Sequence, residues 1–509
     1  MAAYLFLRGA ALFLVGSFSD DGAYVMLGKS IADGTGYHLT YLVGSPVAVK
    51  FPPGLPALLA IPWALGGTLA AVRATVGILN PLVCGAAAAV IWLIGRRELS
   101  LSPGPLAVAA LGPFFLDHAM QYYNIPLAEP YFLLGWALAA LLAGTATRPP
   151  GAAALGLVLA ATTLFRSAGV FLVLACLAAL ALRRVSWRVV AACAVTAITP
   201  LIVWSVVHGR IVARGPISSL PDEVSYWSLI PFGPTELPAY LVTAIWNNVR
   251  SYFSELSAAL AGPMVVGHAL VLVAVASGAV GAVSAWRRAP ALVLTVATSL
   301  GVVLVWPFAQ DRFLLPLLPF IGLLAAVAID ERARRLPARL RLAAPIGLAL
   351  AALIVGLRQA ELRRAAATAF VQGRPPAARD RSVLLMLARN SRHIASLSEW
   401  VRANTTVQDR LLVDLPAGTY LYTGRLTVPA GPAEVGYMPS VFQHSGRYLA
   451  TRILEDSITM VAIGVRGAIV RDIETISRTC PAVLRRQLPV DEVYRVFRDE
   501  ACLWSIMRQ

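Results

Sequence analysis

Residues 72–95, VRATVGILNPLVCGAAAAVIWLIG, contain one charged side chain, Arg73, and are followed at once by Arg96-Arg97. As a helix rising about 1.5 Å per residue, this stretch is long enough to cross roughly 30 Å of hydrocarbon. Similar apolar runs recur at 3–18, 104–120, 126–145, 151–166, 168–183, 188–207, 258–284, 290–308, 313–330 and 341–358. The chain is 58% hydrophobic and 14% charged, with a mean hydropathy of +0.70. Soluble domains average about 45–50% apolar and roughly 25% charged. The pattern predicts an α-helical polytopic membrane protein with about eleven spans.

The formal net charge of +16 could suggest nucleic acid, but the arginines sit in short turns after alternate runs. Arg96-Arg97, Arg148, Arg183-Arg184 with Arg188, Arg287-Arg288 and the run from Arg332 to Arg341 form that series. This is the positive-inside signature of membrane topology, so no nucleic-acid partner is implied. It puts those turns in the cytoplasm and the segment after the last span outside. Arg8 interrupts the first run, which is nevertheless read as a retained span, with the arginine snorkelling, rather than as a signal peptide.

Composition changes near residue 360. Residues 1–359 form the membrane part, with a long first external loop at 19–71. From 360 to 509 charged residues become frequent and apolar runs shorten to strand length, as at 411–413, 458–463 and 493–497. Helical patterns at 393–403 and 446–456 alternate with them, which predicts an extracytoplasmic α/β domain. Cys480 and Cys502 fall in that domain, where a disulfide could persist; sequence alone does not decide it. Cys84, Cys176 and Cys193 read as small core residues, and no CxxC or His-rich cluster supports a zinc site.

In the first loop, Asp20-Asp21 stands where the first run ends, and Lys50-Phe51-Pro52-Pro53-Gly54-Leu55-Pro56 leads the chain back toward the membrane. Ionisable groups at a membrane boundary are expensive and tend to be functional. Tyr24, Leu27 and Ile31 then recur at helical spacing, predicting an amphipathic interfacial helix stopped by Asp33-Gly34-Thr35-Gly36. Residues 54–68 read as a re-entrant or interfacial helix, and 208–256 as a third external loop. Adjacent helical residues point about 100° apart, so the two acids do not share one task. One is a candidate base; the other orients a substrate or serves the helix N-terminus.

Arg166 and Arg312 fall on the external side, against the positive-inside bias, which makes them candidate anion ligands. Asp311 offers Arg312 a simple structural partner instead. Lys50 is one of two lysines in an arginine-rich chain and suits a phosphate as a compact, mobile charge, or equally an outer-face snorkelling residue. Glu129 beside Pro130 is either a helix-dipole partner or an acceptor ligand, and His118 is a weaker candidate of the same kind. The set fits a sugar transfer in which a carboxylate takes the acceptor proton and cations meet a leaving phosphate. A transporter or lipid flippase is the rival reading, but no second copy of the acid pair or the Pro-Pro-Gly turn suggests repeated halves. A non-catalytic scaffold would leave the loop charges unexplained.

The chain resembles membrane glycosyltransferases of the GT-C superfamily, in the protein O-mannosyltransferase and lipid A aminoarabinose transferase group. The resemblance rests on Ser19-Asp20-Asp21-Gly22-Ala23-Tyr24, Ala32-Asp33-Gly34-Thr35-Gly36-Tyr37, Lys50 through Pro56, Glu129-Pro130, Arg166 and Arg312-Phe313-Leu314-Leu315-Pro316, in that order. It implies an inverting transferase that uses a polyprenyl-phosphate-linked sugar and acts on a glycan, lipid or protein acceptor. It puts the catalytic acid at Asp20 or Asp21 and the donor phosphate at Arg312; Lys50 and Arg166 are read beside it as further donor-phosphate ligands, and Glu129, His118, Tyr24 and Tyr37 as candidate acceptor or substrate ligands. Some relatives use a divalent metal; nothing in this sequence calls for one.

Overall fold

A computed structural model describes residues 13–215, 233, 235–260, 264–307, 309–335, 383–430, 447–463, 469–487 and 492–508, with scattered positions between 337 and 372. Its first part is helical: α1 (Asp20–Ala32), α2 (Gly54–Ala64), α3 (Leu69–Arg97), α4 (Pro103–Leu111), α5 (Asp117–Tyr122), α6 (Glu129–Thr145) and α7 (Pro149–Phe165). There follow α8 (Gly169–Leu182), α9 (Trp187–Arg214), α10 (Glu236–Leu260), α11 (Met264–Ala285), α12 (Pro290–Val305) and α13 (Leu318–Ala333). Prolines open α4, α7 and α12 at positions where a missing N–H costs nothing. Arg96 and Arg97 close α3, where cations complement the negative end of the helix dipole.

Among the described residues, Leu69–Arg97, Trp187–Arg214 and Gly267–Ala285 are long and apolar enough to cross a membrane, by length and composition. Gly54–Ala64, Pro103–Phe114, Pro149–Phe165, Gly169–Leu182 and Pro290–Val305 are shorter apolar helices. The helices pack in pairs, α9 on α7, α11 on α13, α3 on α6 and α12 on α8. Fully buried Trp136 on α6 stacks against Phe320 on α13, 4.5 Å between ring centres, at the middle of this core.

Several expected elements differ. The run at 104–120 is broken: α4 gives way to a 3-10 turn at Gly112–Phe115 and then to α5, because Gly112-Pro113 interrupts the helix. Of the expected first span, residues 3–12 lie outside the described residues, and 13–18 form a turn rather than helix. Most of 341–358 also lies outside them. Helix α1 is not an exposed interfacial helix, since nine of its thirteen residues are buried, with Val25, Met26 and Leu27 almost inaccessible.

The expected loop 208–256 instead contains the end of α9 and most of α10. The polar residues Asn247, Asn248, Arg250 and Glu255 depress hydropathy there and hide the helix. Asn248 donates to the carbonyls of Val303, Leu304 and Trp306, and the Tyr240 hydroxyl donates to Val305 O. Two turns of α10 therefore lie across the C-terminal end of α12 and satisfy carbonyls that have no partner within that helix. Asp222, Glu223, Tyr226 and Trp227 lie outside the described residues.

After residue 383 the chain forms α14 (Val383–Asn404), β1 (Leu411–Val413), α15 (Pro416–Thr423), β2 (Thr427–Pro429), α16 (Arg447–Glu455), β3 (Met460–Ile463), α17 (Ile469–Thr479), β4 (Leu484–Arg486), β5 (Glu492–Val496) and α18 (Glu500–Arg508). The strands make one sheet in the order β2-β1-β3-β5-β4, with β2, β1 and β3 parallel and the other two pairings antiparallel. Strands β1, β2 and β3 are buried along their whole length, as expected where a sheet is covered on both faces. Cys480 and Cys502 are joined in a disulfide, their Cα atoms 5.9 Å apart.

The sheet does not stand apart from the helices. The first loop lies along its free edge: Thr427 N–H donates to Tyr41 O at 3.0 Å, and Val43 N–H donates to Thr427 O at 3.1 Å. Leu42 and Thr427 thus form a parallel bridge that caps the β2 edge and fixes the loop leading to Lys50.

Candidate active site

Helix α1 begins at Asp20 and brings that carboxylate to a pocket of about 890 Å³, counting its open mouth. The wall includes Asp20, Tyr24, Lys50, Phe51, Glu129, Phe132, Arg166, Ser299, Val303, Trp306, Arg312 and Phe313. Charged groups from four separate parts of the chain converge there. Lys50 comes from the end of the first loop, Glu129 from the start of α6, Arg166 from the end of α7, and Arg312 from the 3-10 turn before α13.

Arg312 is the hub. Its Nη2 donates to Asp20 Oδ2 at 2.6 Å, and its Nε donates to Gln310 Oε1 at 2.7 Å and lies 3.8 Å from Glu129 Oε1. Phe18 and Phe313 flank its guanidinium, with ring centres 4.8 and 5.2 Å away, so the cation is held by aromatic faces as well as by acids. Lys50 Nζ stands 3.5 Å from Asp20 Oδ1. Beyond Arg312, Arg166 Nη1 donates to Glu129 Oε1 at 2.6 Å and lies against Phe313, 4.8 Å from its ring centre. Val303, Trp306 and Phe313 give the same pocket an apolar part of its lining.

The two adjacent acids have different surroundings. Burial would raise Asp20, but Lys50 and Arg312 outweigh it and hold its carboxyl at about 2. Asp21 points away from the pocket. Its Oδ2 accepts from Gly16 N–H at 2.7 Å and its Oδ1 from Phe18 N–H at 3.0 Å. Burial pushes Asp21 up to about 6, against the pull of those backbone donors. One residue of helical rotation thus separates an acid facing the cations from an acid tying down the preceding turn.

No protein-family model matches the sequence, and no curated protein matches it. Solved structures do match along almost the whole chain. ArnT from Cupriavidus metallidurans bound to undecaprenyl phosphate superposes with a TM-score of 0.54 at 14% identity, covering 98% of this chain and 97% of that one. The same protein in the apo state gives 0.51 at 12% identity, covering 97% and 96%. The archaeal oligosaccharyltransferase AglB from Archaeoglobus fulgidus, in complex with an inhibitory peptide and a dolichol-phosphate, gives 0.50 at 12% identity over 91% of this chain and 69% of that one. The chain has the GT-C fold.

Within this GT-C fold, Asp20, Lys50, Glu129, Arg166, Arg312 and Tyr24 all reach one pocket. Tyr37 lies outside that wall: its hydroxyl donates to Phe51 O at 2.9 Å, and its ring packs on Trp204 and His208, which braces the Lys50-Phe51 segment from behind. His118 lies on α5, and its side chain falls outside the described residues. Asp311 has a defined place: its Oδ1 accepts from Arg312 N–H and from the Tyr122 hydroxyl, at 2.9 and 2.8 Å.

Sequence reasoning missed Gln310, Phe18 and Phe313. Gln310 is held from α10, since its backbone N–H donates to the Tyr252 hydroxyl at 3.3 Å while its side chain orients Arg312. The signal available was adjacency, with Gln310 and Phe313 flanking Asp311-Arg312 and Phe18 two residues before Asp20. The ion pair between Glu129 and Arg166 links positions 37 residues apart, and no local pattern marks it.

Proposed function

We propose that this protein is an inverting membrane glycosyltransferase that moves a sugar from a polyprenyl-phosphate donor to an acceptor hydroxyl. In this reading about eleven spans cross the cytoplasmic membrane. Residues 1–359 carry the catalytic pocket, and residues 360–509 form an extracytoplasmic α/β domain on the same side. One observation carries the proposal: the Asp20 carboxylate lies between Lys50 and Arg312 in a pocket that also has apolar lining. A base beside two phosphate-binding cations is what displacement of a lipid phosphate from a sugar requires.

In the proposed step the acceptor oxygen attacks the anomeric carbon, and the bond from that carbon to the phosphate oxygen breaks. The acceptor proton passes to Asp20. The electron pair leaves on the phosphate, whose added negative charge is met by Lys50 and Arg312. With its carboxyl held at about 2 by those cations, Asp20 is a poor base until they are engaged elsewhere. A donor phosphate competes for the same two cations, so donor binding raises the basicity of Asp20 just where the acceptor arrives. Donor therefore binds first. Glu129 keeps Arg166 and Arg312 in place, and Tyr24 faces the acceptor side. Tyr37 acts at one remove, by holding Phe51 and hence Lys50.

The test is Asp20→Asn in lipid nanodiscs, with turnover of radiolabelled polyprenyl-phosphate sugars and binding of undecaprenyl phosphate measured side by side. The expected outcome is a loss of turnover of at least about a hundredfold, with binding unchanged or tighter because a competing carboxylate is gone. An Asp20→Asn protein that turns over as wild type would rule out this base, and gated lipid flux without sugar transfer would favour transport.

A further inference from the structure

The turn that carries Asp20 is locally unfavourable. Gly16 has φ +92° and Ser19, immediately before Asp20, has φ +76°, a left-handed conformation that a serine rarely adopts. For a residue with a side chain, as at Ser19, that conformation is strained and persists where the surroundings over-determine it. At this turn the surroundings come from the other end of the chain. Leu14 N–H donates to Ser391 Oγ at 3.0 Å, Val15 N–H to the Tyr422 hydroxyl at 3.1 Å, and Asn390 Nδ2 to Ser17 O at 2.8 Å. The hydroxyls of Ser17 and Ser391 are 2.6 Å apart. The two backbones also touch: a Cβ added at Gly16 would come within 2.3 Å of Gly418 Cα.

The same turn reaches the reacting groups from its other side. Asp21 accepts from Gly16 N–H and Phe18 N–H, locking the turn to the start of α1 and so setting the direction in which Asp20 leaves the helix. Phe18 presents its ring to the guanidinium that binds Asp20. We propose that the C-terminal segment is a positioning element of the transfer site, with Asn390, Ser391 and Tyr422 holding the Leu14–Ser19 turn that aims Asp20 and backs Arg312. The inference rests on the reading of the pocket as a transfer site. It assigns the sheet-bearing segment a part in turnover, whatever acceptor the enzyme uses.

The experiment uses the full chain in nanodiscs, with a Ser391→Ala/Tyr422→Phe double variant, the conservative Ser391→Thr, and Tyr448→Phe as a control. Tyr448→Phe removes a hydrogen bond to Pro429 O, inside the same segment but away from the turn. Three quantities are read: kcat with the polyprenyl-phosphate sugar that wild type consumes, affinity for undecaprenyl phosphate, and hydrogen–deuterium exchange of peptides covering 13–22. The double variant is expected to lose on the order of tenfold in kcat, since small misplacements of a reacting group are amplified in rate. Its lipid affinity stays within about twofold and exchange at 13–22 rises, while Ser391→Thr and Tyr448→Phe behave as wild type. Unchanged kcat per folded molecule in the double variant, or an equal loss in Tyr448→Phe, would overturn the inference. If wild type consumes no such donor, the transfer reading fails on its own, and unchanged exchange at 13–22 would still refute the clamp.

Discussion

The pocket contains two carboxylate–guanidinium pairs built from the same chemistry in different settings. At one end Glu129 accepts from Arg166 at 2.6 Å, with its own side chain 3% exposed. At the other, Asp20 is 15% exposed and divides itself between Arg312 at 2.6 Å and Lys50 at 3.5 Å. The first acid is closed, buried and turned chiefly to Arg166, with Arg312 Nε 3.8 Å away. The second acid is open, more accessible than Glu129 and shared between two cations. Charge that is already matched and sealed makes architecture, whereas charge that is shared and reachable can be handed to an incoming anion.

The sharpest way to break that comparison is to remove each arginine. Arg312→Gln should weaken undecaprenyl-phosphate binding by more than about tenfold, the worth of a charge-assisted hydrogen bond. Arg166→Gln should weaken it by only a few fold, because Glu129 already engages that cation. Equal losses in a calorimetric titration would erase the distinction between open and closed pairs.

Stability should show the reverse order. Glu129→Ala removes the buried carboxylate that holds Arg166, whose side chain is 19% exposed, and is expected to cost about 1.5–3 kcal/mol, read as a drop in the thermal midpoint in detergent. Lys29→Ala removes an ion pair to Asp33 on the exposed surface and should cost under about 1 kcal/mol. A midpoint in Glu129→Ala matching that of Lys29→Ala would contradict the assignment of Glu129 to the framework.

A smaller effect separates Asp20 from Asp21 by pH. Asp21 is raised to about 6, so its contribution to stability is fully present below the unfolded value near 4 and is lost as pH rises through 6. Asp20 is lowered to about 2, so its contribution is present above 4 and lost only as pH falls toward 2. Of these two acids only Asp21 titrates between pH 5 and 8, where it should lower stability by about 1.4 kcal/mol, alongside Glu98, which burial pushes up to about 7. Asp21→Asn should reduce that slope and Asp20→Asn should leave it.

The charged members of the site were legible because they break rules that the rest of the chain obeys. Arg166 and Arg312 stand against the positive-inside gradient of the topology expected from sequence, Lys50 stands out in an arginine-rich chain, and Asp20-Asp21 adds acid where insertion gains nothing from it. The expected strands at 411–413, 458–463 and 493–497 have observed counterparts at 411–413, 460–463 and 492–496. Strands β2 and β4 were not legible, because Thr427-Val428-Pro429 contains a proline and Leu484-Arg485-Arg486 two arginines, where β1 is Leu-Leu-Val. Helix α10 was missed because its polar face, which serves the carbonyls of α12, reads as a loop until those carbonyls are in place.

Read alone, the sequence establishes apolar runs of membrane length, the turns between them and a short set of charges that have no place in a bilayer. Those properties follow from hydropathy and charge, which are local. Tertiary structure decided which aspartate faces the cations, since neighbours on a helix differ only by a rotation that packing must set. It also decided that Glu129 belongs to Arg166 and that Ser391 and Tyr422 belong to the turn at Leu14 and Val15. Those partners are separated by tens to hundreds of residues, and a hydrogen bond depends on distance in space, which no pattern along the chain encodes.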